Sequence, residues 1–316
     1  MPLKQRIVRI TIKPKGGQPV VLESIGGENF SARVNIAKAI DTYQQQCTID
    51  IVGLTASVRG FLLSNFSAYQ NQLVQDGVPL NYCDVQIEAG YRTAAASSNG
   101  VEQTDWTSVL FVGQIVTAQL VEGPPDPRVV IQCATRQNDK TTWTQPLPNK
   151  STYRNICELI ANQMGLNLVG ATSFDAQEVS NFGTSKGTLS SLVTEIQNMT
   201  LGRTVAWADG GNLYVSDANK AIDPSQISLI SEFVGIPSVD SYGFNGRTLL
   251  AQNNPTLGSA VQVMSVTDNK QPGFLLSDRD KSTPLVSGKF VVTILEYEIC
   301  TREPPFYCRM FGALPA

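Results

Sequence analysis

Val8, Ile10 and Ile12 alternate with Arg9 and Thr11, and this period of two recurs along most of the chain. It is the mark of a strand with one face buried. The first such run, Ile7 to Lys13, is turned by Pro14-Lys15-Gly16-Gly17 and returns over Pro19 to Ser24. Phe30, Ala32, Val34 and Ile36 then alternate with Ser31, Arg33 and Asn35, and Cys47, Ile49 and Ile51 with Thr48 and Asp50. Gly53-Leu54-Thr55 leads into a short helix, Ala56 to Ser64, with Val58, Phe61 and Leu62 on one face. From Cys83 to Arg136 the pattern predicts three strands in series: one around Val85, Ile87 and Ala89, a longer one over Val109 to Gln119, and one over Val129 to Ala134. Gly123-Pro124-Pro125-Asp126-Pro127 must break the run between the last two, because each proline removes a backbone donor.

Between residues 145 and 220 the period changes. Thr152 can cap a helix from Tyr153 to Met164 whose apolar stripe is Ile156, Leu159 and Ile160, with Gly165 as the stop. A second helix over Leu189 to Leu201 carries Leu189, Leu192, Val193, Ile196 and Met199 on one side and ends at Gly202. Thr204 to Trp207, the turn Asp209-Gly210-Gly211-Asn212, and Leu213 to Ser216 read as a β-hairpin. Residues 221–316 return to strands over Ala260 to Val266, Lys289 to Glu298 and, after Glu303-Pro304-Pro305, Phe306 to Phe311. Strand, polar loop, long strand, Pro-Pro turn, final strand is the order already met in Cys83 to Arg136. The recurrence reads either as a weak internal repeat or as coincidence among β-proteins. The expected fold class is mainly β with an inserted α+β module. The expected domains are 1–140 (β), 145–220 (two helices and a hairpin) and 221–316 (β).

Composition narrows the function. The chain of 316 residues is 42% apolar and only 16% charged, with a formal net charge of −3. There is no basic run of the kind that holds nucleic-acid phosphates. No apolar stretch approaches the ~18–20 residues that cross a bilayer, and the N-terminus lacks a secretory core. The chain is therefore expected to be made and folded in a cytosol. Low charge with abundant amide and hydroxyl side chains fits a surface covered by partners, and equally an ordinary β-rich fold.

Histidine is absent. That excludes Ser-His-Asp and Cys-His catalysis, His-based zinc hydrolysis and a histidine general base. The six cysteines (Cys47, Cys83, Cys133, Cys157, Cys300 and Cys308) show no CxxC spacing and are expected as buried thiols, with a Cys300–Cys308 disulfide the alternative. The remaining chemistry belongs to carboxylates. Asp278 and Asp280 lie in a polar stretch that reads as a solvated loop. Glu296 and Glu298 share one face of a strand, as acid and base or as a solvent-facing edge. Trp106 and Trp143 lie in polar stretches and could stack on a sugar, whereas Trp207 in its hairpin reads as core. No Walker motif is present: Gly183-Thr184-Ser185-Lys186-Gly187-Thr188 lacks the spacing. No catalytic, cofactor or metal residue is assigned.

Several segments taken in order resemble one family. They are TIDIVGLTASVRGFL (48–62), VQIEAGY (85–91) followed by VLFVGQIV (109–116), STYRNICELIANQMGLNL (151–168), GTLSSLVTEIQNMTLGRTVAWADGGNLYVSD (187–217), FVGIPSVDSYGFNGRTLLAQNNPTLGSAVQVMSV (233–266) and SGKFVVTILEYEICTREPPFYCRMFG (287–312). Their succession is similar to the baseplate hub proteins of contractile-tailed bacteriophages and related injection machines. The resemblance implies two tail-tube-like β domains flanking the α+β module, and no catalysis. It implies a homotrimer forming a pseudo-sixfold ring that adapts a threefold central spike to the sixfold tail tube. Implied partners are the spike protein, tube or tube-initiator proteins, and wedge and tape-measure proteins, with DNA passing through the lumen. The implied location is the virion, after assembly in the host cytoplasm. Because the chain stops soon after its last strand, spike and wall-degrading enzyme are expected as separate chains. Two loops, Thr93–Ser108 and Asp268–Thr283, are expected to reach the tube. The alternatives are a tail-associated peptidoglycan or carbohydrate hydrolase, or a carbohydrate- or receptor-binding β protein.

Overall fold

Strands form where side chains alternate; the computed structural model describes residues 4–14, 16–24, 30–67, 83–93, 103–106, 109–122, 127–136, 150–180, 188–231, 233–235, 237–250, 254–263, 288–302 and 304–315. The first part contains β1 (Lys4–Pro14), β2 (Val20–Glu23), β3 (Ser31–Ala39), β4 (Gln46–Val52), α1 (Ala56–Phe66), β5 (Cys83–Thr93), β6 (Gln103–Trp106), β7 (Phe111–Glu122) and β8 (Arg128–Ala134). The middle contains β9 (Lys150–Thr152), α2 (Tyr153–Gln163), β10 (Asn167–Val169), β11 (Glu178–Ser180), α3 (Leu189–Met199), β12 (Thr204–Asp209) and β13 (Asn212–Asp217). The last part contains β14 (Ile227–Ile230), β15 (Ser238–Val239), β16 (Gly243–Leu249), β17 (Ala260–Val263), β18 (Gly288–Cys300) and β19 (Phe306–Ala313). The fold is mainly β, as expected.

One sheet runs through both ends of the chain in the order β15-β16-β19-β18-β3-β4-β8-β7-β5-β1-β2, with β6 added to β5, β17 to β18 and β14 to β17. The junction is β3 against β18, an antiparallel ladder from Ala39 opposite Ile294 to Arg33 opposite Cys300. Thr301 and Ala32 extend it: the Thr301 N–H donates to the Ala32 carbonyl at 3.0 Å, and the Ala32 N–H donates to the Thr301 hydroxyl at 3.1 Å. The sheet folds over on itself. Val8, Ile10 and Ile12 of β1 share a core with Val34 and Ile36 of β3, Ile49 and Ile51 of β4, Ile131 of β8 and Leu295 and Ile299 of β18. Burial of each such side chain is worth roughly 1.5–3 kcal/mol.

Pairing registers repeat between the two ends. Asp84 to Ile87 of β5 oppose Gln114 to Phe111 of β7, and Ala260 to Val263 of β17 oppose Val291 to Gly288 of β18. Both long strands then take a bulge two residues on, at Val116 and Thr293, before running on against β8 and β19, and β7 has a further register shift between Leu120 and Glu122. Next come β4 on β8 and β16 on β19, from Gln46 opposite Ala134 and from Gly243 opposite Ala313. The unit β5-β7-β8-β4-β3 is thus matched strand for strand by β17-β18-β19-β16-β15.

The middle segment has its own core. Ile156, Cys157 and Ile160 of α2 and Leu192, Val193 and Ile196 of α3 pack on Ala206, Ala208, Leu213 and Val215 of the β12–β13 hairpin. Thr152 caps α2 by accepting from the Asn155 N–H at 3.3 Å. Gly210 and Gly211, at φ 56° and 83°, make the two-residue turn that the Gly-Gly pair predicts. The opposite face of the hairpin, with Trp207 and Tyr214, joins the main core. Lys38 of β3 closes the contact by donating to Asp209 at 2.7 Å.

Several expectations shift. Gln103–Trp106, expected within a loop, pairs with β5 as Gly90 opposite Trp106 through Thr93 opposite Gln103, since Thr104 and Trp106 favour a strand. The helix over 56–64 runs on to Phe66, and that over 189–201 stops at Met199. β16 was not expected, because Gly243 and Gly246 break its apolar pattern. The missing Cβ of Gly246 is filled by Phe233, whose ring would lie 2.6 Å from it. The cysteines are as expected, all six thiols free and buried, and the alternative Cys300–Cys308 bridge does not form, since Cys308 stands opposite Tyr297. Residues 123–126, Trp143, Asp278, Asp280 and the loop 268–283 lie outside the described residues.

Two predictions follow from this packing. Gln45 is fully buried and closes the β3–β4 turn, accepting from the Ala39 N–H at 2.8 Å and donating to the Ala39 and Thr42 carbonyls, each at 3.2 Å. Gln45→Ala strands these groups without partners and is expected to cost about 2–4 kcal/mol, read as a lowered urea midpoint. For the thiols, burial pushes Cys83, Cys157 and Cys308 up to about 12 from the ordinary 9.0, and raises Cys47 and Cys133 as well. They stay protonated in the folded chain and ionise on unfolding, so stability is full below pH 9 and falls as pH rises toward 12. A thiol reagent at pH 8 is expected to find almost nothing before urea is added and six equivalents afterwards. Fast labelling of the native chain would contradict this.

Candidate functional site

The alternation that buries one face of the shared sheet leaves the other face mostly polar and exposed, with Val112 and Leu249 as apolar exceptions. Two pairing rows cross seven strands. One runs Thr117, Gln132, Thr48, Asn35, Glu298, Tyr307, Leu249. The other runs Gln114, Ala134, Gln46, Ala37, Glu296, Arg309, Arg247. Between β4 and β8, Arg128 forks onto Asp50 at 2.8 and 2.5 Å and reaches Glu122 at 3.2 Å.

Charged side chains of both signs stand on this face, Arg33, Arg128, Arg247 and Arg309 among Asp50, Asp84, Glu122, Glu296 and Glu298. Arg309 lies 3.6 Å from Glu296, donates to Asn245 at 3.1 Å and covers the Phe311 ring at 4.6 Å. Arg247 sits over the Tyr307 ring at 5.1 Å, and Arg33 is directly opposite Asp50. Thr117 donates to Gln132 at 3.1 Å. Such a surface mixes hydrogen-bonding groups and opposite charges with a few apolar side chains, Leu249 among them, and shows no run of cations.

The carboxylate pair expected on one strand face is there. Glu296 and Glu298 project from β18 on the bare side, and each is held by a cross-strand neighbour: Arg309 for Glu296, and the Tyr307 hydroxyl, donating at 3.1 Å, for Glu298. Neither lies in an enclosed pocket; the depressions they border are shallow and open, lined by Arg33, Asn35, Pro304 and Pro305 or by Gln46 and Thr48. Trp207 is 1% exposed and stacks on Tyr214 at 5.2 Å, so it offers no platform to a sugar. Trp106 falls in β6, and its side chain is outside the described residues. Among the described residues, no group of three or more acidic, thiol or imidazole ligands gathers around a metal position, and no helix is long and apolar enough to cross a membrane. What sequence reasoning did not reach is the continuity of this face. It depends on the β3–β18 junction, for which no local signal exists.

Solved structures of the same fold come from tail machines. The 43 kDa tail protein of prophage MuSo2 from Shewanella oneidensis is 8% identical, with a TM-score of 0.52 over 97% of both chains. A tail protein from Neisseria meningitidis MC58 is 10% identical, with a TM-score of 0.54 over 97% of this chain and 96% of that one. The E. coli c3393 protein is a type VI secretion component described as similar to T4 tail proteins gp27 and gp5. It is 11% identical, with a TM-score of 0.50 over 96% of this chain and 76% of that one. No curated protein matches the sequence. Residues 7–312 match the family described as baseplate hub gp41, which spans nearly the whole chain. The chain belongs to the baseplate hub gp41 family of phage tails.

Proposed function

We propose that three copies of this chain form a ring of six near-equivalent β units, seated on a threefold central spike and offering six seats to the first layer of a tail tube. The observation that carries this reading is the repeated register, with β5-β7-β8-β4-β3 matched by β17-β18-β19-β16-β15. Two like units per chain convert a threefold axis into a pseudo-sixfold one. The likeness of the c3393 protein to tail proteins gp27 and gp5 supports the same assignment. The working domain limits are 1–140, 145–220 and 221–316. The ring is a structural part of the virion, assembled in the host cytoplasm, with wedge and tape-measure proteins as further neighbours.

The bare polar face lines the conduit in this reading. The opposite face is covered by the second layer of strands, β1, β2 and β5 at one end and β14 and β17 at the other, which supports assigning the bare face to the channel. DNA passing through needs a wet wall without phosphate traps, because each neutralised phosphate adds affinity. The paired arginines of this face meet that need. The chain is proposed to have no catalytic role, since Glu296 and Glu298 are tied into cross-strand contacts and share no enclosed cavity.

Three outcomes are expected. The purified chain, alone or mixed with its spike, has the mass of a trimer by light scattering; a monomer that stays so with spike and tube protein present contradicts the ring. Peptidoglycan turnover is absent, and activity lost on Glu296→Gln or Asp280→Asn would reverse the non-catalytic reading. Thr48→Lys with Gln132→Lys adds two cations per copy on the bare face; tails are expected to assemble at normal yield but release DNA several-fold more slowly at low salt.

A further inference from the structure

The two helices of the middle segment end in the same hydrogen-bonded turn, but with glycine and leucine exchanged. After α2 the Gly165 N–H donates to the Asn162 carbonyl at 3.0 Å, and the Leu166 N–H donates to the Ala161 carbonyl at 2.9 Å. After α3 the Leu201 N–H donates to the Asn198 carbonyl at 3.0 Å, and the Gly202 N–H donates to the Gln197 carbonyl at 3.1 Å. In both, the first residue past the cap is left-handed, a place that favours glycine. Gly165 holds it at φ 65°, and Leu166 turns back into the core at 5% exposure. After α3 the order is reversed. Leu201 takes the left-handed place at φ 55°, where its Cβ crowds the following carbonyl, and its side chain is 87% exposed. Neither the backbone nor the core favours leucine here; glycine would relieve the strain and lose no packing.

The turn around Leu201 is held in place. The buried Thr200 hydroxyl accepts from the Thr204 N–H at 3.1 Å, and the Arg203 N–H donates to the Thr200 carbonyl at 3.1 Å. The Ala218 N–H donates to the Arg203 carbonyl at 2.8 Å, which ties this turn to the neighbouring one at Asn219. Two exposed cations stand on the joined turns. The Arg203 side chain has no partner among the described residues. Lys220 lies 3.5 Å from Asp217, a carboxylate that also accepts from the Ser173 N–H at 3.0 Å. The tip is therefore a single apolar side chain on a fixed backbone, with cations beside it.

We propose that Leu201 anchors a protein interface: it enters an apolar pocket rimmed by carboxylates on a different protein of the tail, with Arg203 and Lys220 meeting the rim. One preordered anchor suits a pocket, since interface energy concentrates in a few buried side chains. The two cations set the charge of the rim they approach. A lipid surface asks for a broad apolar helix face, which one leucine does not supply. Nucleic-acid phosphates would use the cations but gain nothing from the leucine. The contact uses the helical segment alone, so it stands whether or not three copies form the ring.

The full chain in assembled tails tests this. Cells infected with a phage lacking this gene are supplied with a chain carrying Lys220→p-benzoylphenylalanine. After irradiation, tails are expected to contain this chain joined covalently to one different tail protein. Joining to a second copy, joining to DNA, or no joining overturns the proposal. Leu201→Gly is expected to raise the melting midpoint by about 1–3 °C through relief of the left-handed strain, and to lower the yield of complete tails about tenfold through loss of the anchor. Leu201→Met keeps the apolar reach and is expected to keep the yield. Arg203→Glu is expected to leave melting unchanged and to lower the yield. A Leu201→Gly chain that builds tails at normal yield overturns the proposal. So does flotation of the purified chain with phosphatidylglycerol vesicles that is lost in Leu201→Gly, which assigns the tip to a lipid surface instead.

Discussion

The continuity of the bare face depends on the ladder between β3 and β18. Without it the chain holds two sheets, each with one more open edge. With it the chain holds one sheet whose bare face is continuous from Leu249 to Thr117. The ladder is short, but it is locked from several sides. Thr301 and Ala32 extend it, Gln45 fixes the turn leaving β3, and Lys38 ties β3 to Asp209 of the helical segment. On the outer layer, Tyr91 packs edge-on to Phe306 at 5.3 Å, with Arg6 over the same ring at 5.4 Å. Rigid alignment of two like units therefore comes from backbone pairing reinforced by a few anchors, and the β12–β13 hairpin adds Trp207 as a wedge beneath it.

Local structure was legible because its causes are local. Val34 and Ile36, or Ile49 and Ile51, alternate with polar neighbours and form strands as expected. Thr152 and Gly165 bracket α2, and Gly210-Gly211 turns its hairpin. β16 escaped notice because a ring from Phe233 fills the space that a branched side chain would fill elsewhere. β14 escaped because Ile227 and Leu229 stay exposed while pairing in parallel with β17. Nothing near residues 33–39 announces that they will meet 294–300, since register between distant strands is fixed by the tertiary core and not by the strand itself.

The candidate site divides in the same way. That Glu296 and Glu298 share a face follows from the period of a strand. That Arg309 and Tyr307 hold them follows from the β18–β19 register, which the bulge at Thr293 shifts. A carboxylate pair read as possible chemistry becomes, once its neighbours are known, part of a set of cross-strand contacts. The family match and the structural neighbours agree with a baseplate role, at identities where only the fold is common.

The β3–β18 pairing also has a consequence in time. Ala32 and Thr301 are 269 positions apart. On the ribosome, β3 is therefore complete long before the strand that covers it has been made. During that interval the nascent chain presents β3 as an unpaired edge. Long-range pairing of this sort is slow and exposed to wrong partners. The edge of β3 is thus covered only once the last strands of the chain have been made, which puts the completion of the shared sheet at the very end of synthesis.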